Sequence, residues 1–407
     1  MFFTKWMREV CCHKNRYLTL PPVNPLKFYP MKSIVLAILA ASSLAVQAKS
    51  LKIYLMAGQS NMTGMVKTST LEHVKMFPDT AKEYADMFDA NGKPIELKQV
   101  QVSCWPKKEG EAKGDLKPGY GGGTAGEMFG PEYAFGVYMY KKLQQPILII
   151  KCGQGGRNLF FNFRPPSAGE WTPPPGHPDV TNPSKFKALE VKADPNNPKT
   201  IVSYEYKKMI DHTRKVLSDL KSYYPGYDEK DGYEISGFVW FQGWNDMIDG
   251  KVYPNKGKLG GYDQYTWLLE NLIRDVRKDL NAPKMSAVIG VMGIEGIQDP
   301  KTPGMGTFQA AQAAVAEKPE FKGNVAATQT GKFWDSHLAD LYKRHILLHN
   351  PKKPAPEGTK PLTPEEENLV KIGTSEAEYH YLGSAKIMVG LGKGMAESML
   401  ELEAKRR

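Results

Sequence analysis

The chain has 407 residues, 41% hydrophobic, 24% charged and 11% aromatic, with no long biased tract; this excludes disordered, collagen-like and disulfide-dense classes and allows a sizeable core. The formal charge of +10 points at first to nucleic acid. Residues 1–48, however, carry Lys5, Arg8, Lys14, Arg16, Lys27 and Lys32 against Glu9 alone, and the remaining excess is dispersed, so no nucleic-acid partner is expected.

The N-terminal segment reads as a leader. Met31-Lys32-Ser33, an apolar run over 34–44 and Val46-Gln47-Ala48 form an n-region, an h-region and a small-residue cleavage site, with residues 1–30 an extension ahead of a second possible start at Met31. The run is too short to span a bilayer. The expectation is a secreted or periplasmic product cut near Ala48, with one domain over 49–407 and no stable membrane span.

An apolar strand over 51–56 then runs into Gly58-Gln59-Ser60-Asn61-Met62. In open α/β sheets ligands bind beyond the carboxyl ends of strands, so this places a hydroxyl at the usual reaction face. By itself a strand followed by a polar turn is ordinary. Cys104 and Cys152, the two cysteines after the leader, fit either one disulfide or two buried thiols. Gly121-Gly122-Gly123 reads as a loop, and Pro131 opens a helix over 131–142. A second apolar run, 147–151, leads into Cys152-Gly153-Gln154-Gly155-Gly156. A Pro-crowded loop spans 163–199, and a helix follows over 204–220. The strand at 235–241 ends in Gln242-Gly243-Trp244-Asn245-Asp246. A helix over 262–280, a strand over 285–292, a helix over 307–316 and a strand over 325–328 complete an alternation that implies a parallel sheet covered on both faces.

Beyond the last strand lie Asp335, His337, His345 and His349. His345 and His349, at i and i+4, share one helix face, but the Glu of a His-Glu-x-x-His motif is absent and no third ligand is specified. They read as solvated histidines, and no metal is expected. A Pro-rich stretch over 350–366 precedes Glu376-Ala377-Glu378-Tyr379-His380, which leads into a helix over 385–401. Gly390, Gly392 and Gly394 lack the Lys-Ser/Thr pair of a phosphate loop and suit close helix packing.

A serine hydroxyl needs a neighbouring base to become a nucleophile, and histidine has the pKa for it. Acyl transfer also needs preorganised donors for a tetrahedral oxyanion; Ser60 N–H, Gly156 N–H and the Asn245 side chain are suitable. Singly, the glycine pair suits a turn and the asparagine a cap. Together, Gly58-Gln59-Ser60-Asn61-Met62, Gly155-Gly156, Gly243-Trp244-Asn245-Asp246 and His380 resemble the SGNH (GDSL-like) hydrolases, in their sialate O-acetylesterase and acetylxylan-esterase branch. Phe129-Gly130-Pro131-Glu132 is similar to that branch's Gly-Pro-Glu element.

The resemblance implies a flavodoxin-like three-layer sandwich around a central parallel five-stranded sheet. It implies a serine esterase that removes O-acetyl groups from a carbohydrate through an acetyl-serine intermediate, with an acetylated glycan as partner and no cofactor. Ser60 is then the nucleophile and His380 its base, and Gln59 and Gln242 are candidate substrate-binding residues. The family places an Asp three residues before the His, where this chain has Ala377. Glu376, Glu378, Asp335 or a backbone carbonyl remain as the orienting acceptor, with Glu376 favoured. Trp171, Phe160, Phe161, Trp244 and Trp334 are candidates to stack on sugar faces or simply to pack. A lipid or thioester hydrolase on the same scaffold and an inert carbohydrate-binding protein are the rival readings, and the oligomeric state is left open.

Overall fold

The computed structural model describes residues 49–107, 110–122, 127–171 and 202–406. The leader with its cleavage site, Gly123 and the 172–201 part of the Pro-crowded loop lie outside the described residues.

Seven strands form one sheet: β1 (Leu51–Gly58), β2 (Leu97–Lys107), β3 (Gly110–Leu116), β4 (Ile147–Gly153), β5 (Tyr233–Phe241), β6 (Ser286–Val291) and β7 (Val325–Gln329), in the order β3-β2-β4-β1-β5-β6-β7. The five apolar runs of the sequence are the contiguous parallel block β4-β1-β5-β6-β7. β1, between β4 and β5, is buried at all eight positions, which is why it reads as a continuous apolar run instead of an alternation. The expectation of a five-stranded parallel sheet needs correction. β2 adds parallel to β4, and β3 closes that edge antiparallel to β2, making the sheet mixed. Both were invisible as apolar runs because Lys98, Gln99 and Gln101 interrupt β2, and β3 reads Gly-Glu-Ala-Lys-Gly-Asp-Leu. β3, at the edge, buries less and keeps more polar residues, and β2 beside it is buried only in its middle.

The surrounding helices used below are α1 (Ser60–Thr63), α2 (Pro131–Leu143), α3 (Tyr204–Ser218), α4 (Trp244–Met247), α5 (Asp263–Asp279), α6 (Met305–Ala314), α7 (Ser336–Leu348), α8 (Pro364–Gly373) and α9 (Ala385–Arg406). On one face of the sheet, Ile53, Leu55, Leu148, Trp240 and Ile289 meet Met209 of α3, Leu268 and Leu272 of α5 and Phe308 of α6. On the other, Tyr54, Met56, Ile149, Val239 and Val288 meet Phe135 of α2 and Met395 and Met399 of α9. Each fully buried side chain of this size contributes about 1.5–3 kcal/mol of transfer free energy, so the two layers fix the strand ends firmly. A Cβ on Gly392 would lie 2.5 Å from the Pro131 carbonyl oxygen and 2.8 Å from the Ala134 Cβ, so this glycine of α9 allows its close approach to α2.

Cys104 and Cys152 are both free and buried. The ladder pairs Cys104 with Lys151 and Cys152 with Trp105, and the two thiols enter the cores on opposite faces of the sheet. They cannot reach each other for a disulfide without a strand reversing its pleat.

Candidate active site

Ser60 is set by the way β1 ends. A Cβ on Gly58 would fall 2.0 Å from the Phe241 carbonyl oxygen, so only glycine lets β1 pass this close to the end of β5. The chain turns at once into α1, with the Thr63 amide donating to the Gln59 carbonyl at 2.8 Å. As the first helical residue, Ser60 has an amide with no acceptor within the helix.

The end of α1 rests on a fully buried ion pair. Lys151 Nζ of β4 lies 2.6 Å from Glu132 Oε2 of α2 and donates to the carbonyls of Thr63 and Tyr120, both at 2.9 Å. The other Glu132 oxygen accepts from the Gly130 amide at 3.1 Å. The Gly-Pro-Glu element thus acts beneath the Ser60 turn, locking β4, α1 and α2 together.

Beyond β4, Gly155 and Gly156 line the same cleft as Ser60. Gly156 has a φ of +71°, a left-handed conformation that favours glycine.

Beyond β5, Asn245 opens onto the cleft, and its carboxamide is held from behind. Gln59 Nε2 donates to Asn245 Oδ1 at 3.1 Å, which directs the Asn245 NH2 away from Gln59. Gln59 Oε1 in turn accepts from the Gly243 amide and from Gln242 Nε2, each at 3.1 Å. Gln242 also donates to Asp246 Oδ2 at 2.6 Å and to the Arg157 carbonyl at 3.1 Å. Asp246 is fully buried and accepts from the Leu159 amide, the Phe160 amide and the Tyr253 hydroxyl. Burial pushes its carboxyl up to about 6, against the opposing pull of these hydrogen bonds. Gln242, expected to touch substrate, is instead 2% exposed with its carboxamide spent inside the protein. Gln59 lines the cleft, yet both ends of its carboxamide serve Asn245 and the loop beneath it. The two glutamines position the asparagine.

His380 sits on a loop that folds back on itself between α8 and α9. The Leu382 carbonyl accepts from the amides of Ser375 at 2.8 Å and Glu376 at 3.1 Å, and Tyr381 and Leu382 adopt φ of +53° and +61°. Left-handed backbone at two consecutive non-glycine residues is strained, and the surroundings must hold it in place. The fully buried Tyr381 supplies that hold, its hydroxyl accepting from the Gly293 amide at 2.8 Å and lying 3.1 Å from Thr330 Oγ1. Asn61 ties the loop to the Ser60 turn by donating to the Tyr379 carbonyl at 3.1 Å.

Glu376 Oε2 lies 3.3 Å from His380 Nδ1. Asp335 caps α7, accepting from the Leu338 amide at 2.9 Å and from Lys386 Nζ at 2.7 Å, while Glu378 pairs with Lys343 at 3.1 Å. Both rivals are engaged elsewhere.

Ser60, Gly156, Asn245 and His380 therefore line one cleft of about 390 Å³, together with Gln59, Thr63, Met65, Gly155, Trp244 and Tyr379. Of the five aromatic candidates only Trp244 is in its lining. Phe160 and Phe161 are buried with Trp171 packed on them, and Trp334 packs on Tyr381. Sequence reading missed Tyr379, 45% exposed, whose ring lies 5.9 Å from that of Trp244 at 36°; its place next to His380 was the available signal. Among the described residues no helix is long and apolar enough to cross a membrane.

Among solved structures the chain is similar to a protein from Arabidopsis thaliana, with 16% identity, a TM-score of 0.41 and coverage of 86% of this chain and 97% of that one. It is also similar to a carbohydrate acetylesterase from Xanthomonas citri, with 15% identity, a TM-score of 0.36 and coverage of 68% of this chain and 49% of that one. No curated protein matches it. The family model described as carbohydrate esterase, sialic acid-specific acetylesterase matches residues 50–339, a span that holds the Ser60, Gly156 and Asn245 segments and stops short of His380. With more than half of its length matched, the chain belongs to this carbohydrate esterase family, a relative of the SGNH hydrolases.

Proposed function

We propose that this protein is an exported carbohydrate O-acetylesterase working through an acetyl-serine intermediate. Ser60 Oγ attacks the acetyl carbonyl while His380 takes its proton, and Glu376 holds the imidazole by accepting from Nδ1. The Ser60 amide, the Gly156 amide and the Asn245 NH2 stabilise the oxyanion. His380 then returns its proton to the departing sugar hydroxyl. Water, deprotonated by the same histidine, attacks the acetyl-serine and releases acetate. The scheme needs neither metal nor organic cofactor.

The observation that carries this reading is the convergence of these groups on one cleft from the ends of β1, β4 and β5 and the loop before α9. Trp244 and Tyr379 in the lining offer ring faces to a sugar. The leader ending near Ala48 and the single hydrolase domain over 49–407 complete the proposal.

The test is acetate release from a panel of acetylated glycans and from p-nitrophenyl acetate, comparing the native protein with Ser60→Ala. Turnover should vanish in the variant while its circular dichroism stays unchanged. Hydrolysis retained by Ser60→Ala refutes the assignment. A preference for long acyl chains over acetate would favour a lipid hydrolase instead.

A further inference from the structure

The fold supplies what the sequence lacked for His345 and His349. Both lie at the end of α7, with ring centroids 4.3 Å apart. Glu367 of α8 comes from across the Pro-rich connection to meet them: Oε2 lies 2.8 Å from His345 Nδ1 and Oε1 lies 4.0 Å from His349 Nε2. One ligand atom from each residue can be chosen so that all lie within 4.8 Å of one another. We propose that His345, His349 and Glu367 form a binding site for a divalent transition-metal ion of the zinc class.

Four features of the cluster fit that role. A tetrahedral zinc site with bonds of about 2.0–2.1 Å separates its donor atoms by roughly 3.3 Å, so the observed separations need only small rotations of these partly or fully exposed side chains. His349 Nδ1 lies 3.0 Å from the His345 carbonyl oxygen, which can only accept. Nδ1 therefore carries the proton, and in the neutral ring Nε2 keeps its lone pair on the side of Glu367. This is the second-sphere hydrogen bond that fixes the tautomer of metal-bound histidines. Arg344, the nearby cation that would compete for Glu367, is occupied by Asp340 and Glu366. Finally, His349 is exposed, which leaves a fourth position for water and an entry path for the ion.

Two imidazoles and one carboxylate select zinc, nickel or copper over magnesium and calcium, which require oxygen ligands. The ion would join α7 to α8, and α8 runs directly into Ser375 and Glu376. The site lies outside the cleft and does not depend on the esterase reading.

The experiment uses the full mature chain, freed of any polyhistidine tag and stripped with a chelator, titrated with zinc chloride in a calorimeter. Expected are saturable uptake of one ion per chain and a Tm that rises with zinc. His349→Gln and Glu367→Gln should each weaken uptake at least tenfold while leaving the circular dichroism unchanged. A tenfold excess of magnesium should not displace the zinc. Absence of saturable uptake, unchanged affinity in both variants, or displacement by magnesium would each overturn the proposal, leaving only a histidine–glutamate ion pair.

Discussion

Two carboxylates at the site differ in kind. Glu376 is partly solvated and faces His380 Nδ1 alone among the imidazoles, so in the proposed mechanism its part is to hold the tautomer. Replacing it by Gln keeps the shape but allows the wrong tautomer, a change that costs about 10⁴ in kcat where the acid is fully buried. For this more open acid we expect kcat to fall at least about 10²-fold with KM little changed; a loss below threefold in steady-state kinetics would mean that something else orients His380. Asp246 is the opposite case, dry and four times hydrogen-bonded. Its folded pKa of about 6 lies above the ordinary value of 3.8, so the folded state binds the proton more tightly than the unfolded one. The stability it contributes is present below about pH 4 and is lost as pH rises through about 6, a change of about 3 kcal/mol at about 1.4 kcal/mol per unit. Denaturant titrations of native protein and Asp246→Asn should therefore diverge across pH 4–6, and a constant difference between them would contradict the buried-acid assignment. At this scale the sequence picked out Ser60, Gly156, Asn245 and His380, which the fold brings to one cleft, but not which way a carboxamide faces. Gln242 and Gln59 follow the same pattern as substrate contacts, yet only the packing of β5 against α1 shows that they brace Asn245.

Among the elements, α1 is too short to stand alone and takes its position from its neighbours. Nucleation of helix is costly, and four residues cannot repay it without tertiary support. Here the support is the Lys151–Glu132 pair at the carbonyl of Thr63. Glu132→Ala leaves a buried ammonium without its carboxylate and should cost about 3–5 kcal/mol, whereas replacing both residues by apolar ones of similar volume should cost far less. Chemical denaturation of the single and double variants checks this, and a single-variant loss under about 1 kcal/mol would show that water reaches the ammonium. Elements with a strong apolar pattern were legible in the sequence: β1, β4 and β6 are buried apolar runs, β5 and the edge strand β7 carry apolar stretches, and α2, α3, α5, α6 and α9 start at or near their expected limits. Elements whose apolar residues are broken up by charges were not. β2 and β3 mix charges with apolar residues, and α8 begins inside a Pro-rich stretch, where Thr363 and Glu366 form a capping box that starts the helix at Pro364. The approach of Glu367 to His345 is a contact between helices, set by packing that no local pattern encodes.

For the molecule as a whole, β3 ends the described sheet with one side of its backbone unpaired by any strand. Such an edge invites a second copy to add its own strand, the route by which folded proteins begin to aggregate. The Gly-Glu-Ala-Lys-Gly-Asp-Leu composition is therefore a guard. Glu111 is held by Ser103, Lys215 and Tyr223 and Asp115 by Gln101, so a docking strand would have to cover charges already engaged here. Lys113 stands exposed beside the Tyr223 ring, and Gly110 and Gly114 offer no side chain to an intermolecular zipper. Lys113→Ile removes the one cation of the strand and adds a β-branched apolar residue at an exposed position. We expect its apparent mass by light scattering to rise with concentration faster than that of the native protein; superimposable curves would show that the guard lies elsewhere. The polar residues that hid this strand from sequence reading are thus the ones expected to keep this edge of the sheet from growing.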